Sequence, residues 1–442
     1  MNATAINRPE ALKTPDDIMA DFRELLVNGC FTTELCGLNA VGLEKFNSTG
    51  FPSRKNEKFT YLDVSDLAKA GFHLRKEPSQ TTQSQVEAQL LPSTHNSRVV
   101  FVDGVYMDHL SDISAVRGQV ELIPLNEAFT QFPEIKISTL NRAIDEDDPI
   151  ANLNTAFTIN GAHLRIKEGE QAQAPIEILF LAARNKSYPL FTAPRLVIDI
   201  GAGAKADFIL KNTREFGSYL HNAVVDVNAR ENSESVLYQF SLHGGSAWRF
   251  FKLNVDQYAK SSLKLVNVST GARISRYAYD WNLKGPGASM EIRSLAALNN
   301  KAKSHKYATI RHQAPGCSSR LLFKNIVNDE SRSSVDSTVI VEPGASGSFS
   351  QQLIRNLLTT DKGRADNKPN LMIHADDVQC SHGATIGQLD EEILFYLMSR
   401  GLTRDVAARS LLNAFAREVT NSIKEPYAAA VVEENILRRG EE

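Results

Sequence analysis

The sequence predicts a mainly β chain with an α/β region before the β core and helices after it. Three observations carry that prediction. Between residues 160 and 387, short runs rich in β-branched and aromatic residues follow one another: IEILFLAA, RLVIDI, SVLYQFSL, FFKLNV, SLKLVNV, LLFKNIV and STVIVEP. Many alternate apolar with polar residues, and no helical period interrupts them. After Gly387 the apolar spacing changes to that of a helix. These breaks divide the 442 residues into an N-terminal α/β region (1–150), a β core (151–387) and a C-terminal helical domain (388–442).

In the N-terminal region, TPDDIMADFRELLVN (14–28) reads as a helix. Thr14 is its cap, Pro15 its first residue, and Ile18, Phe22, Leu25 and Leu26 its apolar face, with Gly29 as the stop. Residues 74–96, rich in Ser, Thr and Gln, read as a solvated linker. RVVFVDGVY (98–106) reads as a β-hairpin turning at Asp103-Gly104. The acidic run IDEDDP (144–149) reads as a solvated turn.

Within the β core, Gly-Ala recurs at 161, 203, 271, 287, 344 and 383. A repeated strand, Gly-Ala, strand pattern suits a chain turning similar corners, because Gly permits a left-handed backbone and Ala fits where the next coil leaves little room. A solenoid of stacked strands fits this pattern, and so does a large antiparallel β-domain; periodicity leaves both open. In the C-terminal domain, Asp390 is an N-cap, Glu391 and Glu392 fill the first turn, and Gly401 is the stop. A second helix from Thr403 places Val406, Ala407, Leu411, Ala414, Phe415 and Val419 on one stripe, and Pro426 begins a third. The apolar ILFYLM run serves as helix core or as a partner-facing stripe.

Composition narrows the function classes. A net charge of −3 gives no basic surface for nucleic acid, and no apolar run is long enough to span a membrane. The first residues, MNATAINRPEALKTPDD, lack the apolar segment of a secretory leader, so a cytoplasmic, reducing location is expected. There the four cysteines (Cys30, Cys36, Cys317, Cys380), with no CxxC pair, are free thiols or metal ligands. GAGAKADF lacks dinucleotide-loop spacing and no Walker A motif exists, so this chain is not expected to bind ATP.

The stretch DDVQCSHGAT (376–385) carries the candidate chemistry. If it is extended, Cys380 and His382 share one face, with Asp376 farther along. Thiolate and imidazole suit iron, zinc or an iron–sulfur cluster. Two ligands are too few for either, and spacing does not place His374 or Cys317 beside them. Distant strands or a second protein must complete the set; otherwise the pair belongs to an ordinary corner like VEPGASGSF or KGPGASMEI. A Cys–His nucleophile has no third group to orient it.

The stretch KPNLMIHADDVQCSHGATIGQLDEEILFYLMSRGLTRDVAARSLLNAFAREV resembles the SufB/SufD family of iron–sulfur cluster assembly proteins. GFPSRKNEKFTYLDVSDL, LNTAF (153–157) with Gly161, and His312, Ser319, Lys324, Gln352 and NLL (356–358) extend the resemblance over most of the chain. Phe59 stands where a Trp is common, and SVDS (334–337) replaces a usual Phe-x-Gly.

The resemblance implies a right-handed parallel β-helix core. It also implies a non-catalytic scaffold subunit of a SufB–SufC–SufD complex, which pairs with a SufB-like paralogue and docks a SufC-like ABC ATPase through its C-terminal helices. Phe395, Tyr396, Arg400, Gly401, Leu411 and Phe415 are the candidate docking residues. His382, with Cys380 beside it, becomes a candidate ligand for a transient iron–sulfur cluster shared with SufB, and a reduced flavin is associated with the assembled complex. Two other classes stay open: a β-helical carbohydrate-active enzyme, which would need carboxylates grouped along a groove and shows none grouped on its strands, and a structural homodimer without a metal role.

Overall fold

The computed structural model describes residues 32–67, 70, 72–74, 77–182, 189–213, 219–242 and 245–437. The expected helix over 14–28 and Cys30 lie outside the described residues. The chain folds as a parallel β-solenoid with helices at both ends, which decides between the two β architectures.

The region before the solenoid contains helix α1 (Thr33–Thr49), strand β1 (His73–Leu74), helix α2 (Gln83–Glu87), strands β2 (Arg98–Val102), β3 (Val105–Tyr106) and β4 (Val120–Pro124), and helices α3 (Leu125–Gln131), α4 (Pro133–Asp145) and α5 (Pro149–Phe157). β2 and β3 form the expected hairpin, with Asp103 and Gly104 both at positive φ. The expected linker over 74–96 instead holds α2, closed by a reciprocal capping box between Thr82 and Gln85. The described part of the stretch is otherwise largely exposed, as a solvated segment should be, with Val86, Leu90 and Leu91 buried. α1 lies against α5: Gly42 approaches Ala156 so closely that a Cβ would stand 2.5 Å from its nitrogen. Asn39 then donates to the carbonyls of Thr155, Ala156 and Thr158, satisfying the end of α5.

The solenoid strands follow as β5 (Gly161–Ile166), β6 (Ile176–Leu181), β7 (Leu190–Thr192), β8 (Arg195–Ile200), β9 (Lys205–Asn212), β10 (Tyr219–Ala229), β11 (Glu234–Ser241), β12 (Trp248–Gln257), β13 (Ser262–Ser269), β14 (Ile274–Leu283), β15 (Ser289–Leu298), β16 (Lys303–His312), β17 (Ser318–Val327), β18 (Arg332–Val341), β19 (Phe349–Leu358), β20 (Arg364–Ile373) and β21 (Gln379–Gln388). Even-numbered strands from β8 to β20 stack in parallel in one sheet, and odd-numbered strands from β9 to β21 in the other. The two inner faces share one apolar core. Stacking is in register, so equivalent side chains form columns: Leu237, Leu265, Ile292, Leu321, Gln352 and His382 are one of them.

The corners explain the Gly-Ala pattern and correct it. One corner recurs with a left-handed residue in every coil: Gly203, Asn232, Lys260, Gly287, Gly316, Gly347 and Asp377. Each of the first six donates its N–H to a carbonyl in the following coil's corner. Asn and Asp tolerate this conformation, so the repeat is conformational and not a fixed dipeptide. Gly161 and Gly383 are not corners. Gly161 begins β5, where a Cβ would meet the Arg195 carbonyl at 2.6 Å, and Gly383 lies inside β21.

After the solenoid come α6 (Glu391–Ser399), α7 (Arg404–Thr420) and α8 (Pro426–Leu437). Asp390 and Thr403 cap the first two as expected, each accepting from backbone N–H groups. Ala416, Val419, Ile423, Ala428 and Val432 pack with Tyr238, Phe240, Val266, Val268 and Leu295 of the solenoid wall in one cluster. Within the expected α7 stripe, Ala414 is exposed and Ala416 buried, so the packed face is turned slightly from the one the spacing drew.

Candidate functional site

Cys380 and His382 lie on β21, the last strand of its sheet, where no further coil covers them. Cys380 is in register with Ser350, and His382 with Gln352. Both columns point inward lower in the stack, so the two side chains share the inner face at the open end of the solenoid. Cys380 is half-buried against the inner core, and His382 is exposed. Burial lifts the Cys380 thiol above its ordinary value, opposed by a backbone hydrogen bond from Ser350, so it carries its proton near neutral pH.

The expected alignment of Asp376 with this pair does not form, because the chain turns at Asp377 (φ 55°) before β21 begins. Cys317 lies two coils away in a corner, its thiol directed at the carbonyls of Leu283 and Gly285. Among the described residues no group of three or more His, Cys, Asp or Glu side chains could hold a metal ion. The pair therefore places two side chains of ligand type, without a third beside them among the described residues, on an open face.

Beside His382 the outer face of the even-numbered sheet forms a cleft of ≈ 1220 Å³ with residues 56–58 and the end of α4; Lys58, Glu146, Asp256, Arg311, Lys368 and His382 are among its lining. Its floor corrects two expectations. The run IDEDDP is solvated only in part: Ile144, Asp145 and Asp147 are exposed, whereas Asp148 is buried, caps α5 through the Ile150 N–H and pairs with Arg276 at 2.5 Å. Arg276 in turn lies 4.3 Å from the centre of the Phe59 ring, so phenylalanine fills the aromatic position there.

The strand carboxylates are also grouped after all. Asp226, Asp256 and Asp280 stand on the outer face, because outward positions alternate with the inward apolar ones. Each is held by a cation: Arg195 to Asp226 at 2.8 Å, Arg142 to Asp256 at 2.9 Å, and Lys252 to Asp280. Burial works against the Asp148 carboxylate, yet Arg276, Lys252 and Lys58 outweigh it and hold its pKa at about 2. Burial likewise opposes the charge on Lys252, and Asp280, Glu146 and Asp148 overcome it. Carboxylates engaged in this way fasten the N-terminal region to the solenoid; they are not free for acid–base work. Spacing could not reveal the grouping, since it is made by strands about one coil apart.

The structure divides the expected docking residues. On α6, Leu394 is buried while Phe395 (73%) and Tyr396 (56%) are exposed, next to exposed Ile393 and Met398. Arg400 stacks over the Tyr396 ring at 5.3 Å, and Gly401 takes the left-handed stop. Leu411 is half-buried. Phe415 turns toward the solenoid wall, its ring 4.1 Å from the Lys324 ammonium. Four residues therefore lie at a free end of the helical domain, and Phe415 serves its attachment. His312, Ser319 and Gln352 are interior positions: His312 Nε2 bonds Ser319 Oγ at 2.8 Å, and Gln352 accepts from Ser337.

Comparison with known proteins agrees with this architecture. Residues 180–415 match the SufBD core domain of the SUF system for FeS cluster assembly, and residues 24–178 match the SufBD protein N-terminal region. The chain belongs to the SufBD family, whose members take part in iron–sulfur cluster assembly. Within it the chain is SufD-like. It is 28% identical to the iron–sulfur cluster assembly protein SufD of Escherichia coli (strain K12), over 87% of this chain and 88% of that protein. It is 27% identical to an iron–sulfur cluster assembly SufBD family protein of Synechocystis sp., over 92% and 91%. It is 29% identical to the chloroplastic protein ABCI7 of Arabidopsis thaliana, over 85% and 80%. Among the described residues no helix is long and apolar enough to cross a membrane.

Proposed function

We propose that this chain is the scaffold subunit of a SufB–SufC–SufD assembly, working in a reducing, cytoplasmic-type compartment. Its open solenoid end pairs with a SufB-like paralogue, and His382, with Cys380 at its side, supplies part of the ligand set for a nascent cluster. The exposed apolar end of α6 docks a SufC-like ABC ATPase. One observation carries the reading: Cys380 and His382 share one face of the uncapped last coil, where a partner can reach them. The same edge would serve a homodimer of the isolated chain, since β20 and β21 each leave one side unpaired.

The residues lining the cleft give a flavin ring no free platform, because the Tyr307 ring already faces Lys58 and Arg276. The ion pairing of the strand carboxylates Asp226, Asp256 and Asp280 supports the scaffold reading over the carbohydrate-enzyme one.

The test is anaerobic reconstitution with a SufB-like and a SufC-like partner, followed by visible absorption. His382→Ala should leave the complex intact by size exclusion and abolish the cluster chromophore. A full chromophore in that variant would remove His382 from the site.

A further inference from the structure

One inward column of the even-numbered sheet reads Ala223, Phe251, Tyr277, Lys306, Val335 and Asn367. A lysine thus stands where apolar side chains fill the coils on either side. Lys306 is 1% exposed. Its ammonium donates to Asn325 Oδ1 at 3.0 Å, which occupies one of its three N–H groups. The titratable groups sharing the lumen with it are Tyr277 and Tyr279 of β14, His312 and Cys317 near the corner, and Cys380 and His382 at the mouth. The inward positions of β14 to β19 hold no Asp or Glu. Burial is accordingly the one influence on its amine, lowering the pKa to about 7.

Two further features converge on the same place. Tyr277 is in register with Lys306 on the adjacent strand, and its buried hydroxyl has no hydrogen-bond partner among the described residues. From Asn325 a file of amides leads toward the open end: Asn325 donates to Asn356 Oδ1 at 2.8 Å, and Asn356 to Asn367 Oδ1 at 2.9 Å and the Thr385 carbonyl at 3.2 Å. A buried ammonium is costly unless paired, and an orphaned hydroxyl beside it is a second unsatisfied donor. Both needs are met by one small acceptor of negative charge.

We propose that Lys306 and the Tyr277 hydroxyl form a site inside the solenoid for a small monovalent anion of halide size, approached along the amide file from the open end. The anion supplies the missing counter-charge and takes N–H groups of Lys306 that Asn325 leaves free. This site is separate from the His382 face and stands or falls independently of the cluster reading.

Bromide is the probe. Crystals of the full chain grown in bromide should show an anomalous peak in the lumen within hydrogen-bonding reach of Lys306 Nζ. In solution, bromide should raise the melting temperature over acetate at equal ionic strength. Because the amine must be protonated, its apparent affinity should fall about tenfold per pH unit above 7. Lys306→Met should remove the response, and Tyr277→Phe should weaken it several-fold while the circular dichroism stays native. A wild-type lumen without a bromide peak overturns the proposal, as does an equal bromide response in Lys306→Met. If Lys306→Met does not fold, the wild-type peak and the Tyr277→Phe titration decide.

Discussion

Burial favours the neutral form of a histidine, and among the described residues His221, His305 and His312 feel it most plainly. Burial, reinforced by Arg249, lowers the pKa of His221 to about 3; burial, reinforced by Arg276, lowers His305 to about 3; burial lowers His312 to about 4. Each folded pKa lies below the unfolded value of 6.5, so the unfolded chain binds the extra protons. Stability from these groups is therefore fully present above pH 6.5 and is lost as pH falls from there toward 4. The slope should be about 1.4 kcal/mol per pH unit for each histidine well below 6.5. Urea midpoints between pH 7 and 5 check this, and His305→Gln should flatten the slope by one group's share. An unchanged midpoint across that range would contradict it. None of these histidines was singled out for burial by its neighbours in sequence: an inward or outward position is visible as alternation, but its depth depends on which coils stack above and below.

At the scale of elements, local chemistry made the caps of α6 and α7 and the β2–β3 hairpin readable, because each is decided by residues within a few positions. The misread elements are those decided at a distance. IDEDDP reads as solvated until Arg276 and Lys252 arrive from strands more than a hundred residues later. The attachment of α7 is of the same kind. Glu418 bonds Lys324 Nζ at 2.6 Å, and Lys324 lies 4.1 Å from the centre of the Phe415 ring. That hydrogen bond chiefly lowers the Glu418 pKa, with partial burial opposing it. Phe415→Ala removes a half-buried ring and its cation contact together, and should weaken the docking of α7 by about 2 kcal/mol. Hydrogen exchange should report faster opening across α7 and α8 with unchanged protection in β10 to β16. Equal loosening of the solenoid would show that the helices and the β core open as one unit.

The whole molecule is a stack in which each coil leans on its neighbours, so the two ends differ. One end is closed by the hairpin, β4 and the helices packed over the first strands. The other is left open at β20 and β21, with Ile373 (44%) and Ile386 (51%) exposed where lower coils are sealed. The Cys-Ser-His motif was visible in sequence, but its place on an unfinished coil was not, since periodicity does not say which repeat is last. An uncapped terminal coil has backbone hydrogen bonds on one side only and should fray first. In the isolated chain, amide exchange should accordingly be fastest in β20 and β21 and slowest in β10 to β16. Adding a SufB-like paralogue should slow exchange selectively in β20 and β21, because pairing at that edge supplies the missing neighbour. Protection appearing instead around Asp256, Asp280 and Arg311 of the outer cleft, with β20 and β21 unaffected, would move the partner off the open edge.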